Sequence, residues 1–393
     1  MSGSVIVAGA RTPIGKLSGA LGGFAATELG GFAIAAALER AGVAPDQVDY
    51  VFMGQVIQAG AGQITARQAA NNAGIPMSVA ASTINKVCLS GLNTIYLADL
   101  MINAGEADIV VAGGMESMTQ APYLLPGARA GYRIGDGKLV DSMMYDGLFC
   151  AFDQCAMGLG TERYNGADGV SRERQDAFSA LSHERAAAAI EDGKFAEEIV
   201  AVSVPQRKGD ALVVDTDEGV RGETTAESLG KLRPAFDKEG TITAGNASQI
   251  SDGGAAVVVM SRAKAEELGV TPLGELVSYG QVAGPNPSLL NQPSHATQVA
   301  LAKAGLTVGD IDLFEINEAF AAVGLASSDA LGIGADIVNV NGGAIALGHP
   351  VGMSGTRLAL TSLLELRRRG GGTAAISLCG GGGQGDAAVL RTI

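Results

Sequence analysis

Cysteine and histidine are scarce in this chain. Four Cys and three His in 393 residues provide neither a disulfide framework nor a zinc-type ligand spacing. Positive charge is short as well: 27 Lys and Arg against 41 Asp and Glu give a formal charge of −14. Nucleic-acid binding needs a basic face to replace phosphate counterions, so this balance argues against that class. A small anionic ligand is not excluded, because a local Arg/Lys cluster serves it. Residues 1–12 lack a basic stretch followed by a long apolar run, so no secretory signal is read there. Residues 337–355 carry no formal charge, but Asn339, Asn341, His349, Pro350 and many glycines argue against a membrane helix. Arg391-Thr392-Ile393 is not a peroxisomal address. The expectation is a soluble, reducing, cytoplasmic protein with no metal, no nucleic-acid partner and no membrane.

Glycine is abundant: its 57 residues are about twice the average usage. They sit in short runs between apolar segments, which suits the tight turns of an α/β protein. Residues 5–8, 48–56, 82–87, 108–114, 255–260 and 337–340 read as strands. Residues 27–41, 63–73, 90–104, 171–192 and 295–304 read as helices, with Gly42, Gly74 and Gly105 as stops and Ser171 as an N-cap. Residues 161–240 hold 28 of the 68 charged residues and read as a polar excursion from the main domain.

An internal repeat organises the rest. Gly42-Val-Ala-Pro-Asp-Gln-Val-Asp49 resembles Gly305-Leu-Thr-Val-Gly-Asp-Ile-Asp312, and each leads into an apolar strand. Ser90-Gly91 follows Asp49 by 41 residues, and Ser354-Gly355 follows Asp312 by 42. Each Ser-Gly opens a helix that leads to an apolar strand ending in glycines. Two copies of one βαβ-rich unit fit this spacing, and alternating strands and helices imply layered α/β with mainly parallel sheets. Cys88 lies just ahead of one Ser-Gly and His349 just ahead of the other. If the halves pack about a pseudo-two-fold, the two side chains come close together.

Cys88 stands at a helix mouth, where dipole and free N–H groups stabilise a thiolate. Alone it also reads as a small buried Cys, His349 as a His in a glycine turn, and Cys379, ahead of four glycines, as core. Together they suit covalent acyl transfer, with a second Cys for another proton-transfer step. Asn317 follows a buried strand, where an amide can hold a water or donate to an oxyanion, or simply satisfy a turn. Lys208, Arg221, Lys231 and Arg233 read as a solvated face. His183 and His295 read as surface or cap residues.

The motifs Asn85-Lys-Val-Cys88-Leu-Ser-Gly91, Asn317-Glu-Ala-Phe-Ala321, Gly342-Gly-Ala-Ile-Ala-Leu-Gly-His-Pro350 with Gly352-Met-Ser-Gly355, and Cys379-Gly-Gly-Gly-Gly-Gln-Gly385 resemble the thiolase family. Within it the resemblance is to the acetyl-CoA C-acetyltransferases, and it covers nearly the whole chain. It implies duplicated halves in a layered α-β-α-β-α core. One half is 1–117 plus 246–270, the other 271–393, with an inserted loop domain, 118–245, that carries coenzyme A and a tetramer contact. It implies Cys88 as the nucleophile, His349 as its base, and His349 with an Asn317-held water as one oxyanion hole. Cys379 is implied as the base that takes an α-proton, and the N–H groups of Cys88 and Gly381 as the second oxyanion hole. Arg221 and Ser228 fall beside the nucleotide, Ser248 beside the pantetheine, and Met157 and Leu148 beside the acyl group. The implied partners are acetyl-CoA, acetoacetyl-CoA and CoA, in a homotetramer, with coenzyme A thioester as substrate and no cofactor. Ala156 and Gln249 depart from common family residues near the acyl pocket.

Acetyl transfer between coenzyme A thioesters has three rivals. A 3-ketoacyl-CoA thiolase of longer chain preference shares the same chemistry. A nicotinamide dehydrogenase would need a GxGxxG in the first βα turn, and residues 8–15 have none. A non-catalytic acyl-CoA carrier has no use for the set Cys88, His349 and Cys379.

Overall fold

A computed structural model describes residues 3–166 and 169–393. The core elements of the first half are β1 (Ser4–Arg11), α1 (Ala26–Ala41), β2 (Tyr50–Gly54), α2 (Thr65–Asn72), β3 (Ala80–Ile84), α3 (Ser90–Asn103), β4 (Ile109–Ser117) and β5 (Ser251–Ser261). The second half supplies β6 (Glu275–Ala283), α4 (Gln292–Ala304), β7 (Leu313–Ile316), α5 (Ala321–Leu331), α6 (Ser354–Arg368), β8 (Thr373–Gly380) and β9 (Gln384–Arg391). The first sheet runs β1-β5-β4-β2-β3 and the second β6-β9-β8-β7.

Alternation of side chains along each strand decides the layering, because successive residues point to opposite faces. Val5 and Val7 pack outward with Ala33 and Ile34 of α1 and Ala69 of α2, whereas Ile6 packs inward. Val258 faces out, and Val257 and Val259 face in. In the second sheet Ala375, Ala387 and Val389 face out toward Ala296, Ala300 and Leu301 of α4. Ile376, Leu378, Ala388 and Leu390 face in. The inward faces of both sheets share one cluster with Leu92, Ile95 and Ala98 of α3 and Leu358 and Leu363 of α6. The order is therefore helix, sheet, helix pair, sheet, helix, and both faces of both sheets are buried.

Two expectations change. The sheets are mixed rather than mainly parallel. β2 pairs parallel with β3 and β4, and β7 parallel with β8, but β5 and β9 run antiparallel to both of their neighbours. The cause is the connection: β8 turns straight into β9 through Gly381, Gly382 and Gly383, with no helix to carry the chain across. In the first half the same place, between β4 and β5, holds the whole polar insertion.

The second correction concerns residues 337–340. They form no strand. Ala335–Ile337 is a single 3₁₀ turn, and Val338 makes an isolated parallel bridge to Phe314 at the position β3 fills in the first sheet. Asn339 then turns left-handed at φ 47°. Its side chain takes over the ladder, accepting from the Ile316 N–H and donating to the Ile316 carbonyl, both at 2.8 Å.

The insertion is pinned to the core by charge. Arg11, fully buried, donates to Glu198 at 2.7 Å and to both oxygens of Asp217 at 2.7 and 2.9 Å, and its guanidinium lies over the Phe195 ring. Such a bidentate buried arrangement satisfies the charge that burial would otherwise leave unpaired. The helix Arg172–Glu191 forms as the sequence predicts, and Ser171 Oγ accepts from the Arg174 N–H. No helix among the described residues is long and apolar enough to cross a membrane.

Candidate active site

The two Ser-Gly starts meet at the centre of the molecule. At Gly355 an added Cβ would stand 2.4 Å from the Leu92 nitrogen, and at Gly91 one would stand 2.8 Å from both the Gly352 carbonyl and Thr356 Oγ1. Only glycine lets α3 and α6 approach this closely. Thr356 Oγ1 donates to the Gly91 carbonyl at 2.9 Å and joins them.

Each serine reaches back over the turn ahead of its helix. Ser90 Oγ accepts from the Lys86 N–H at 2.8 Å and donates to the Val87 carbonyl at 2.6 Å. Those bonds hold Val87 at φ 52°, a strained region for a β-branched residue, and Cys88 follows directly. Ser354 Oγ lies 2.6 Å from His349 Nδ1 and donates to the Pro350 carbonyl at 3.1 Å. With its proton committed to Pro350, the hydroxyl accepts from Nδ1–H. That assigns the tautomer whose Nε2 is bare and able to accept a proton.

Around these turns the halves contribute alternately. Asn317 Nδ2 lies 3.4 Å from His349 Nε2, and Asn317 Oδ1 is buried with no hydrogen-bond partner among the described residues. The N–H groups of Cys88 and Gly381 lie beside the Cys88 sulfur and favour its charged form. Cys379, fully buried at the end of β8, is close enough to Cys88 for a charge on one thiol to oppose a charge on the other. The structure thus brings Cys88, His349, Cys379, Asn317 and Gly381 to one place.

The electrostatics depart from what a helix mouth alone suggests. Burial pushes the Cys88 thiol up to about 12, against the pull of its two N–H donors. Burial, and then the neighbouring Cys88, raise the Cys379 thiol further above its ordinary range. Burial and the Arg357 charge lower His349 to about 3, so the imidazole is neutral. Among the described residues no cation offsets desolvation beside either sulfur, and the helix dipole is the weaker effect. Both cysteines therefore rest as thiols and need a base.

A cavity of about 450 Å³ is lined by Leu148, Ala156, Met157, Ser248, Gln249, Phe236 and Phe320, among others. Met157, Leu148 and Ser248 thus share one pocket. Arg221 and Ser228 lie outside its lining and are exposed, and Ser228 caps a short helix by exchanging bonds with Thr225. Gln249 turns its amide to the carbonyls of Gly219, Ile345 and Ala346, tying the insertion to the chain that precedes His349. A second cavity, about 670 Å³, is bounded by Val87, Gly381, Tyr145, Phe149, Phe152 and Met157.

The sequence reading missed several residues. Glu116, fully buried, accepts from the N–H groups of Val56, Ile57 and Gly352 at 3.0, 3.1 and 3.0 Å, and burial raises its carboxyl to about 7. It holds the loop after His349 against the end of β2. A single acid in an otherwise apolar strand was the only signal. Lys86 pairs with buried Asp386 at 2.7 Å and fastens the Cys88 turn to β9. His183 is buried, not a surface residue. Its Nδ1 accepts from the Arg221 N–H at 3.2 Å, and burial followed by the Arg221 charge lowers it to about 4. His295 is exposed. No cluster of three or more His, Cys, Asp or Glu among the described residues has a metal-binding arrangement.

The likeness of this chain to known proteins runs along nearly its whole length. The thiolase N-terminal domain family matches residues 4–263, and the thiolase C-terminal domain family matches residues 270–392. A probable acetyl-CoA acetyltransferase of Mycolicibacterium smegmatis is 60% identical over 387 residues, which cover 98% of this chain and 100% of the relative. A probable acetyl-CoA acetyltransferase of Mycobacterium tuberculosis is 57% identical, with 100% of each chain covered. An acetyl-CoA acetyltransferase of Cupriavidus necator is 53% identical, again with 100% of each covered.

Proposed function

The chain belongs to the thiolase family, and from that premise we propose that it joins two molecules of acetyl-CoA into acetoacetyl-CoA and CoA, reversibly, through an acetyl thioester on Cys88. The observation that carries the mechanism is the meeting of a nucleophile, a bare imidazole nitrogen and a second thiol at one point between the halves.

A thiol held up to about 12 is unreactive until its proton is taken. His349 Nε2 takes it, and Ser354 stabilises the imidazolium at Nδ1. The Cys88 thiolate attacks the acetyl-CoA carbonyl, the tetrahedral intermediate collapses, and CoA leaves with the Cys379 proton, so that Cys379 becomes the thiolate and His349 keeps the Cys88 proton on Nε2. The N–H groups of Cys88 and Gly381, freed from the sulfur, then face the thioester oxygen. A second acetyl-CoA gives an α-proton to the Cys379 thiolate. Its enolate oxygen is held at His349 Nε2 and by a water on Asn317, whose unpartnered Oδ1 suits that task. The carbanion attacks acetyl-Cys88, the oxyanion rests on the two N–H groups, and Cys88 departs as a thiolate that takes its proton back from His349 Nε2. The mechanism uses no metal or prosthetic group. Separating it into two displacements gives ping-pong kinetics.

In this reading the inserted unit, 118–245, positions coenzyme A. Arg221 and Ser228 stand by the nucleotide, Ser248 by the pantetheine, and Met157 and Leu148 along the acyl group. The protein works as a homotetramer in the cytoplasm, where thiols stay reduced.

The test is mass spectrometry after mixing with acetyl-CoA. One acetyl group on Cys88 is expected, and Cys88→Ser should lose roughly a thousandfold or more in acetoacetyl-CoA thiolysis. An adduct elsewhere, or none, defeats the covalent route. The cavity of about 670 Å³ beside Val87 and Gly381 is more than an acetyl group fills, and it favours a second reading, longer 3-ketoacyl-CoA substrates. Turnover of acetoacetyl-CoA against 3-ketohexadecanoyl-CoA separates the two, since a clear long-chain preference removes the short-chain reading.

A further inference from the structure

A short hairpin stands between the two cavities, and its geometry is that of a thiol–disulfide pair. Phe149–Cys150 runs antiparallel to Cys155–Ala156, with Cys150 directly opposite Cys155. Both cysteines are free, and they are only 4% and 5% exposed. Directly opposed residues of an antiparallel pair have Cα atoms roughly 4.5–5.5 Å apart. That lies inside the roughly 4.4–6.8 Å a disulfide spans. The four-residue connection ends with Gln154 left-handed at φ 50°, and the Asp153 N–H donates to Cys150 Sγ at 3.4 Å. The strand register sets the two Cα atoms within that span.

The hairpin also touches the site. Cys150, Phe149 and Phe152 line the larger cavity, and Ala156 lines the smaller. The tip residue Phe152, 72% exposed, lies against Gly382 of the turn after Cys379, where an added Cβ would stand 2.9 Å from its ring. Neither Cys150 nor Cys155 has a part in acetyl transfer.

We propose that Cys150 and Cys155 are an oxidative modification site: hydrogen peroxide joins them in a reversible disulfide that fastens the hairpin beside the 379–383 turn. Cys150, which borders the open cavity, attacks one peroxide oxygen as a thiolate. The O–O bond breaks, one water leaves, and a sulfenic acid remains. The Cys155 thiolate then attacks that sulfur, the S–S bond forms, and hydroxide leaves as the second water. Two thiols are oxidised, one peroxide is reduced, and two waters carry away the thiol protons. The pairing is independent of the proposed acetyl-transfer activity.

The test uses the full chain. It is treated with peroxide, alkylated with iodoacetamide and digested with trypsin. Cleavage after Lys138 and Arg163 releases residues 139–163, which hold both cysteines and neither Cys88 nor Cys379. The expected peptide is two hydrogens lighter and unalkylated. Dithiothreitol given before alkylation should return it to the doubly alkylated form. A peptide with both thiols alkylated after peroxide overturns the proposal, as does a link from either cysteine to Cys88 or Cys379. A second measurement is chymotryptic cleavage after exposed Phe152: oxidised chains should stay joined until reduced. Fragments that separate without reductant also overturn it.

Discussion

His349 is the residue whose surroundings set the acid side of the rate. Burial and Arg357 keep its pKa near 3, so it stays a neutral base far below the ordinary histidine value. The acetylation rate should therefore hold level from pH 8 down to about 5, and a limb near 6.5 would show that the ring is not buried as described. The sign for stability is the reverse of a benefit. Between about 3 and the ordinary value the unfolded chain binds the proton and the folded one does not, so this residue lowers stability as pH falls through that window. His349→Asn should lose activity and yet be less acid-labile in thermal melts. Ser354 acts through His349 by taking Nδ1–H at 2.6 Å. A hydrogen bond to a developing charge is worth about 1.5 kcal/mol, so Ser354→Ala should slow acetylation about tenfold. KM should hold, the acid limb should move, and Ser354→Thr should restore most of the rate. A purely structural serine would move none of these together.

At the scale of elements, the site depends on how closely the loop around Gly352 enters between β2, β4 and α3. A Cβ on Gly114 would lie 2.0 Å from the Gly352 carbonyl oxygen, and one on Gly54 would lie 2.7 Å from it. Gly114→Ala must push that loop, and with it His349, outward. A misplacement of this size costs about a hundredfold in rate. Thiolysis should fall by that much, more than the melting temperature of the variant alone would explain. The sequence carried much of this arrangement. The Ser-Gly repeat placed Cys88 and His349 at equivalent turns, and the structure brings those turns together through Gly91 and Gly355. What it could not carry was burial. The high thiol pKa of Cys88 and the buried, bonded state of His183 both depend on residues distant in the chain. Glu116 was hidden for the same reason: its three N–H donors come from residues 56, 57 and 352. Residues 337–340 read as a strand because Ile337, Val338 and Val340 make a short β-branched run, which period alone does not tell from a turn. Only the structure shows Asn339 using its side chain in place of a partner strand.

At the scale of the whole molecule, residues of the insertion expose Tyr123, Leu125, Tyr132, Ile134 and Leu139, with Ile134 at 98%. An apolar stretch of this kind suits contact with other copies. Light scattering should give about four times the 39.5 kDa chain, and removing residues 125–139 should reduce it to about two. A tetramer that survives the deletion places its contact elsewhere. The two sheets also end differently. β3 leaves the first sheet with an unpaired edge, whereas the second stops at the lone Val338 bridge, with Asn339 turned back on Ile316. Duplication copied the layers but not this margin, and the loss matters for growth. A chain with two usable margins could add copies without limit, as a ribbon does. On the second sheet that ladder is already taken by the Asn339 side chain, so a strand from another copy finds no free backbone at Ile316.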